Sequence, residues 1–471
     1  MSTVTTTRPA TATAAITINP ATGDVLAAYP FLNLAGLQNV LEQSTTGFHR
    51  WRAVQPTERC AVLRRMAELL RRDVDALAEL IVAEMGKPIA QSWAEVHKSA
   101  DTLDWYSDYG PAMVADTTTA AGKNVIVRHQ PLGPVLAVEP WNFPVWQCIR
   151  SAAAILIAGN SYILKPAPNV AGCAFFLERL WQEAGLPAGS FTVLNADIDV
   201  VAAAIAHPAV VGVTVTGSVR AGSAIAAQAG KMIKPSVLEL GGTDAFIVLA
   251  DADIDAAVNG AITGRFQNSG QVCIASKRII LHKSIEEEFT QKFIAAVARL
   301  RVGDPRDPGT VIGPIARPDL RDEIAEQVAR TIAQGGKLLH GGNPLEGPGN
   351  FFEPTVISNV RPGMVAFDEE VFGPVAALTT AQSADDAISL ANTSKFGLSA
   401  SVWTRETDKA ADIAGRLEVG GVFINKVPVS DPRIPIGGVK NSGFGRELST
   451  QGVHAFTNVQ TVWVEESPGR L

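Results

Sequence analysis

The segment Val135-Leu-Ala-Val-Glu-Pro-Trp-Asn-Phe-Pro144 opens an alternation of strands and helices that decides the fold. Its first four residues are apolar and predict a buried strand, and the prolines that follow end it. An apolar helix is predicted over residues 145–158, where Gly159-Asn160 stops it. Alternation of this kind indicates a parallel sheet with helices on both faces.

The same alternation continues to about residue 240 and resumes further on. Strands are predicted at 162–164, 191–194, 210–215 and 237–240, with helices at 170–184, at 200–206 and from 219. A second α/β unit is expected after residue 251, with strands near 278–281, 371–378 and 401–404. Upstream, apolar residues at three- and four-residue spacing predict one long helix over 56–85, closed by Gly86.

Composition excludes several classes of function. The chain has 471 residues, 46% hydrophobic and 18% charged, with a net charge of -7, which gives no basic footprint for nucleic acid. No apolar run approaches the roughly 20 residues that cross a bilayer. The Thr/Ala-rich residues 1–14 lack the apolar middle of a secretory signal and are predicted to be a disordered tail. Four cysteines without CxxC spacing argue against zinc and favour a reduced, cytoplasmic setting.

Cys273 is the candidate nucleophile. It lies in Gln267-Asn-Ser-Gly-Gln-Val-Cys-Ile-Ala-Ser-Lys277, after a short polar loop that contains glycine. A thiolate attacks an aldehyde carbon and later leaves from a thioester, so sulfur suits both steps. Cys60, Cys148 and Cys173 fall in apolar helical patterns, where a thiol is usually a small packing residue.

Two other motifs complete a catalytic set. Glu239 in Leu238-Glu-Leu-Gly-Gly242 is flanked by apolar residues, and burial there raises a carboxyl pKa into the range of a general base. Asn142, between Pro140 and Pro144, offers a fixed amide for a developing oxyanion. Taken singly, a structural cysteine, a paired strand-end glutamate and a loop-capping asparagine are the ordinary explanations.

Weaker signals indicate a nucleotide. Gly217-Ser-Val-Arg-Ala-Gly222 follows a strand and opens a helix, a phosphate-binding geometry, although a turn glycine explains it equally well. Lys165 at a strand end suits ribose hydroxyls, and Glu370 and Phe372 suit the other ribose and the nicotinamide; an exposed lysine and a solvated acidic turn are the alternatives. Histidine spacing gives no metal site.

These motifs resemble the aldehyde dehydrogenase superfamily, over residues 18–461. PWNFP, LELGG, GQVC, EEVFGP and GGVKNSGFGRE carry the likeness, and the short bacterial succinate-semialdehyde dehydrogenases are most similar. The resemblance implies an α/β fold in three parts: a Rossmann-like cofactor domain (15–113 and 131–240), an α/β catalytic domain (241–428) and a small β oligomerisation flap (114–130 and 455–466). It also implies a homodimer or homotetramer.

Site residues follow from the resemblance. It implies Cys273 as nucleophile, Glu239 as base and Asn142 in the oxyanion hole. At the cofactor it implies Trp141, Lys165, Pro168, Gly217, Ser218, Leu240, Glu370 and Phe372. NAD-preferring members often have a glutamate where this chain has Pro168, so we expect NADP, with NAD also accepted.

The substrate is expected to be succinate semialdehyde, oxidised to succinate through a cysteine thiohemiacetal and thioester. Longer relatives have an arginine where this chain has Gln267, but a second family arginine is retained as Arg150. Trp146 and Ser430 are expected beside the substrate, with Arg433 or Lys426 as a second cation. Glutarate semialdehyde or a neutral aliphatic aldehyde is the alternative substrate, and a non-catalytic binding protein on the same fold is the remote alternative. No metal, nucleic acid or membrane partner is expected.

Overall fold

A computed structural model of the chain describes residues 13–465, and two large sheets organise this part. The first is the predicted parallel sheet. Its strands, in spatial order, are Gly443–Phe444, Ser236–Leu240, Gly212–Gly217, Pro134–Glu139, Ser161–Pro166 and Phe191–Val193. All neighbours are parallel except Gly443–Phe444, which pairs antiparallel with Ser236–Leu240. The carboxyl ends of its five parallel strands therefore meet at one edge.

Helices cover both faces of this first sheet. The connecting helices are Trp146–Ile157, Ala171–Glu183, Ile198–Ala206 and Val219–Lys231, and the helices before the sheet are Leu34–Arg52, Pro56–Arg72, Val74–Met85 and Ile89–Met113. Apolar side chains of these helices and of the sheet form the main core, in which Trp51, Tyr106 and Trp181 are fully buried. Burial on both strand faces explains why the strands read as unbroken apolar runs.

The single long helix predicted over residues 56–85 is two helices. Asp73 (φ -101°, ψ 19°) ends Pro56–Arg72 and precedes Val74–Met85. Arg72 donates two hydrogen bonds of 2.8 Å to the Asp73 carboxylate at this break. Because the apolar spacing continues across Asp73, the pattern did not reveal the break. Gly86, with φ 77°, closes the second helix as predicted.

The second sheet carries the loop of Cys273. Its strands, in spatial order, are Lys337–His340, Thr355–Ser358, Val375–Ala381, Arg278–His282, Ala245–Val248, Ser399–Trp403 and Gly421–Ile424. Its helices are Ile254–Phe266, Glu286–Val297, Pro318–Ala333, Val365–Asp368, Ala384–Asn392 and Thr407–Arg416. The strand expected from residue 371 begins only at Val375, because Pro374 has no N–H to donate to a neighbouring strand.

Smaller elements complete the described chain. Gly122–Pro131 pairs antiparallel with Thr117–Thr119 and with Thr457–Trp463, which confirms the predicted hairpin and its C-terminal partner. The remaining elements are the strand pairs Ala14–Ile18 with Val25–Pro30 and Phe396–Gly397 with Val439–Lys440, the short turns Pro168–Val170 and Gln267–Gly270, and the helix Ser449–His454. Between residues 13 and 465, no helix is both long and apolar enough to cross a bilayer.

Three structural features lie at the predicted domain limits. Ala14, assigned to the tail, begins a strand and pairs with Pro30, whereas residues 1–12 lie outside the described residues. Pro131, assigned to the cofactor domain, ends the long strand of the flap. Gly443–Phe444, outside every predicted domain, is an edge strand of the first sheet. The domain division itself stays a prediction, and residue 466 of the flap lies beyond the described chain.

Candidate active site

One cavity of about 640 Å³ lies along the carboxyl edge of the first sheet. Every residue predicted for catalysis or for the cofactor lines it: Asn142, Glu239 and Cys273, with Trp141, Lys165, Pro168, Gly217, Ser218, Leu240, Glu370 and Phe372. Lys165, Gly217 and Leu240 lie at or near the carboxyl ends of three parallel strands of the first sheet. The topology therefore brings together residues that are far apart in sequence.

The loop before Cys273 has an unusual backbone. Asn268, Ser269 and Gly270 have φ values of 51°, 54° and 74° in succession. A Cβ on Gly270 would lie 2.2 Å from the carbonyl oxygen of Gly373, so only glycine fits there. Such conformations cost about 1–3 kcal/mol each for residues other than glycine and are concentrated at functional sites.

Arg265 and Lys277 hold this loop in place. The fully buried Arg265 guanidinium donates hydrogen bonds to the carbonyl oxygens of Gly270 (3.1 Å) and Gly373. Lys277 Nζ donates to the carbonyl oxygen of Cys273 (2.6 Å) and lies 3.2 Å from a carboxylate oxygen of Glu370. Sequence analysis missed both residues, because surface and buried cations look the same in a single sequence.

Cys273 is half-buried, and its surroundings favour the protonated thiol. Burial raises the pKa of its thiol to about 11; the positive charges of Arg150 and Lys277 oppose this, and the negative charges of Glu239 and Glu370 add to it. A neutral thiol is a weak nucleophile and needs a base to accept its proton.

Glu239 has the properties of that base. It is 3% exposed and lies on Ser236–Leu240, opposite Thr216 on one neighbouring strand. Burial raises the pKa of its carboxyl to about 8; Arg150 and Arg446 lower it and Glu447 raises it further. Its Oε1 is buried and makes no hydrogen bond within residues 13–465, so a lone pair is available for a proton.

Asn142 is positioned against the nucleophile loop. Its Nδ2 donates to the carbonyl oxygen of Gln271 (3.0 Å), while Asn268 Nδ2 donates to the carbonyl oxygen of Asn142 (2.8 Å). A primary amide carries two N–H donors, so one remains for an oxyanion. These bonds orient the amide before a substrate binds, as electrostatic stabilisation of a transition state requires.

The half of the cavity along the first sheet fits a dinucleotide. At Gly217 an added Cβ would meet no atom within 4 Å, so bare backbone faces open space. Ser218 caps the helix Val219–Lys231 by accepting a bond from the N–H of Ala221 (3.3 Å), and a helix N-terminus favours phosphate. The Lys165 ammonium makes no ion pair or hydrogen bond within residues 13–465, and burial lowers its pKa to about 8. Arg220, which sequence analysis did not select, also lines this part.

The opposite wall comes from the second sheet and its helices. Trp141 and Phe372 meet edge to face, with ring centroids 5.7 Å apart and an interplanar angle of 89°. The N–H of Gly242 donates to Glu370 Oε1 (3.1 Å). The helix Pro318–Ala333 adds Leu320, Glu323, Ile324 and Gln327 to the lining, and no motif had indicated them.

The residues predicted for the substrate do not line this cavity. Arg150 is 1% exposed; its Nε lies 2.5 Å from Glu447 Oε2 and its Nη2 donates to Thr216 Oγ1 (3.1 Å). Trp146 and Ser430 are buried, and Lys426 is exposed. Direct contact of Arg150 with a substrate would require this ion pair to open, so that contact stays a prediction.

The chain belongs to the aldehyde dehydrogenase family, whose model matches residues 7–462. Among its relatives, the succinate semialdehyde dehydrogenase [NAD(P)+] Sad of Escherichia coli strain K12 is 51% identical, over 96% of this chain and 98% of that protein. The succinate-semialdehyde dehydrogenase [NADP(+)] 1 of Mycobacterium bovis strain BCG is 43% identical, over 95% of this chain and 99% of that protein.

A solved structure gives the same picture of the fold. The succinic semialdehyde dehydrogenase of Streptococcus pyogenes, determined in complex with NADP+, superposes with a TM-score of 0.93 at 37% identity, over 96% of this chain and 100% of that chain.

Within residues 13–465, no three His, Cys, Asp or Glu side chains are grouped so that they could hold a metal ion.

Replacement of the nucleophile tests the site directly. Cys273→Ala is expected to reduce aldehyde oxidation by about 10⁴-fold or more, because no thioester forms, while NADP binding is retained. Absorbance at 340 nm measures turnover, and calorimetry measures cofactor affinity. Cys60→Ala, which removes a buried packing thiol, is the matched control, and this variant should oxidise the aldehyde as the native chain does. Robust oxidation by Cys273→Ala would reject the mechanism.

The base is tested by substitution and by pH. Glu239→Gln is expected to release about one equivalent of reduced cofactor in a burst and then to slow by about 10²–10⁴-fold, because water is no longer activated. In the native chain the pKa of Glu239 is raised to about 8, so hydrolysis of the thioester should increase with pH up to about 8 and level off above it. Stopped-flow measurement of both phases checks this. An unchanged hydrolysis rate in Glu239→Gln would remove Glu239 from this role.

Proposed function

We propose that this chain oxidises succinate semialdehyde to succinate with NADP or NAD as hydride acceptor. The observation that carries the proposal is that Cys273, Glu239 and Asn142 line the same cavity as the residues predicted for the cofactor. The names of relatives that are 51% and 43% identical over nearly the whole chain support the substrate. A binding protein without turnover would have no need for nucleophile, base and amide together.

The first half of the reaction forms a covalent intermediate. Glu239 accepts the thiol proton, and Cys273 Sγ bonds to the aldehyde carbon to give a thiohemiacetal. Asn142 Nδ2 and the backbone N–H of Cys273 stabilise the negative oxygen, each such donor contributing about 3–4 kcal/mol to the transition state. Trp141, Lys165, Gly217, Ser218, Glu370 and Phe372 would hold the dinucleotide, whose nicotinamide would supply the hydride acceptor. Loss of a hydride from the thiohemiacetal carbon leaves a thioester on Cys273.

The second half releases the acid. Glu239 removes a proton from a water molecule as the water oxygen bonds to the thioester carbon. The C–S bond then breaks, and Cys273 is regenerated. The overall change consumes one water and yields the carboxylate, the reduced cofactor and protons, so the reaction balances. Because Glu239 Oε1 has no hydrogen-bond partner within residues 13–465, the carboxyl is free to serve in both halves.

A kinetic panel tests the substrate. Succinate semialdehyde is expected to have a higher kcat/KM than glutarate semialdehyde and a much higher value than butanal, its uncharged four-carbon analogue, because a charged group is recognised at a fixed distance from the aldehyde. Reduction of NADP at 340 nm measures each value. If butanal is the best substrate, the reaction class stands but the semialdehyde assignment is wrong.

The preference for NADP over NAD depends on the part of the cavity that is lined by Lys165 and Pro168. No carboxylate stands at residue 168 to repel a 2′-phosphate, and the Lys165 ammonium lines the same cavity. Pro168→Glu is expected to lower the ratio of kcat/KM for NADP to that for NAD by about 10-fold or more. The reason is that the introduced carboxylate would repel the 2′-phosphate of NADP. Pro168→Gln, similar in shape but uncharged, is the control. An unchanged ratio in Pro168→Glu would mean that the 2′ position is read elsewhere.

We also propose that copies of this chain associate through the flap, as a homodimer or homotetramer. Val459 and Trp463, on the strand Thr457–Trp463, are 61% and 58% exposed. That strand lies at the edge of its three-stranded sheet, where backbone groups are available for pairing. A cytoplasmic location stays a prediction.

A further inference from the structure

The cations named from sequence are poorly placed to receive the second carboxylate of a semialdehyde. Arg150 is paired with Glu447 in the interior. Arg433 donates two hydrogen bonds to Asp431 (2.8 and 2.5 Å), and its side chain is 72% exposed. Lys426 is exposed. An anionic substrate that is held specifically needs another partner.

Lys98 is a cation with no counter-charge in contact. It lies on Ile89–Met113, is half-buried, and has its Nζ 3.9 Å from the centre of the Trp146 ring. Within residues 13–465 its ammonium makes no hydrogen bond or ion pair, and the aromatic face is its only charge-compatible contact. Lys87, another lysine of this region, also lies over an aromatic ring, but it is paired with Glu95. An unpaired ammonium withdrawn from water is energetically costly, so its retention calls for an anion.

Lys98 approaches the reacting groups by way of the helix Trp146–Ile157 and not as part of the cavity lining. Its ring partner Trp146 begins the helix Trp146–Ile157, where Arg150 follows one turn later on the same face. Arg150 in turn bonds Thr216, which lines the cavity with Cys273. Glu95 orients the start of this helix by accepting hydrogen bonds from the N–H groups of Val145 (2.9 Å) and Trp146 (3.0 Å).

The charges around Lys98 agree with this placement. Burial, and to a smaller extent the positive charge of Arg150, lower the pKa of Lys98 to about 8. The negative charges of Glu95 and Asp431 act in the opposite direction, as does Cys273 when it is ionised. None of these groups contacts the Lys98 ammonium within residues 13–465. A bound carboxylate would stabilise its charged form, which the free protein leaves unpaired.

We infer that Lys98 is a specificity-determining residue that binds the distal carboxylate of the substrate beside the face of Trp146. The inference rests on the proposed oxidation of succinate semialdehyde and adds the group that selects the acid-bearing aldehyde over a neutral one. A neutral aldehyde leaves the ammonium unpaired and gains nothing from it. The carboxylate gains a charge-assisted hydrogen bond, which is among the stronger contacts a protein offers.

Steady-state kinetics of variants that change the charge at residue 98 test whether Lys98 selects the substrate. Lys98→Met keeps the length and the apolar stem but removes the charge. It is expected to raise KM for succinate semialdehyde by about 10- to 100-fold and to leave KM and kcat for butanal within about two-fold. Lys98→Arg should keep most of the preference for the semialdehyde, and Lys98→Glu should weaken it more than Lys98→Met. Lys283→Met, at an exposed lysine, is the matched control and should match the native chain.

Product inhibition supplies a second measurement. Succinate should compete with succinate semialdehyde in the native chain and lose about 10-fold or more of its potency in Lys98→Met. An equal effect of Lys98→Met on butanal and on the semialdehyde would assign Lys98 a structural role and overturn the inference, as would an unchanged KM for the semialdehyde. If the native chain itself does not prefer the semialdehyde to butanal, the proposed function fails instead, so the two failures are distinguishable. Thermal unfolding of each variant identifies loss of fold, and in that event Lys98→Gln replaces Lys98→Met.

Discussion

A buried guanidinium joins the two halves of the active site. Arg265 hydrogen-bonds carbonyl oxygens on the loop before Cys273 and on the loop that carries Phe372, and Lys277 links the Cys273 backbone to Glu370. Because the Arg265 guanidinium is buried away from water, its charge is stabilised by these carbonyl oxygens. The same hydrogen bonds therefore fix the two loops to Arg265 and to each other. The candidate nucleophile, Cys273, thereby lies in one cavity with the candidate base Glu239 and the amide of Asn142, which come from the first sheet.

Burial also sets the protonation states that the chemistry begins from. It raises the pKa of both the Cys273 thiol and the Glu239 carboxyl, while Arg150, held by Glu447, partly opposes both shifts. Burial therefore favours the protonated thiol in the free protein, and the thiol becomes a nucleophile when a base accepts its proton. A protonated thiol is also less easily oxidised, since the thiolate is the reactive form.

The two sides of the site use charge differently. On the cofactor side, Lys165 and the helix N-terminus at Ser218 face a large cavity that suits phosphates and ribose. Beyond Trp146, a lone ammonium at Lys98 is held over an aromatic ring with no acidic partner in contact. Recognition of one end of an aldehyde by a single desolvated cation discriminates strongly against neutral substrates, because such substrates leave the cation unpaired.

Local signals predicted most of the alternating strands and helices of the first sheet, and with them the motifs at its edge. Strand ends, turn prolines and the glycines near residues 217 and 270 depend on neighbours in the chain, so a single sequence reveals them. The break at Asp73 was missed because apolar spacing continues through it. The late start of the strand at Val375 was missed although Gly373-Pro374 precedes it in the sequence.

What the sequence by itself determined was the alternation that builds a parallel sheet and the three motifs that supply thiol, carboxyl and amide. Only the tertiary structure decided which charges are buried and with whom: Arg150 with Glu447, Arg265 with backbone carbonyls, and Lys98 with an aromatic ring alone. The physical reason is that hydrogen bonding and apolar periodicity act over a few residues of chain. The partner of a charge is set by contacts between segments tens to hundreds of residues apart.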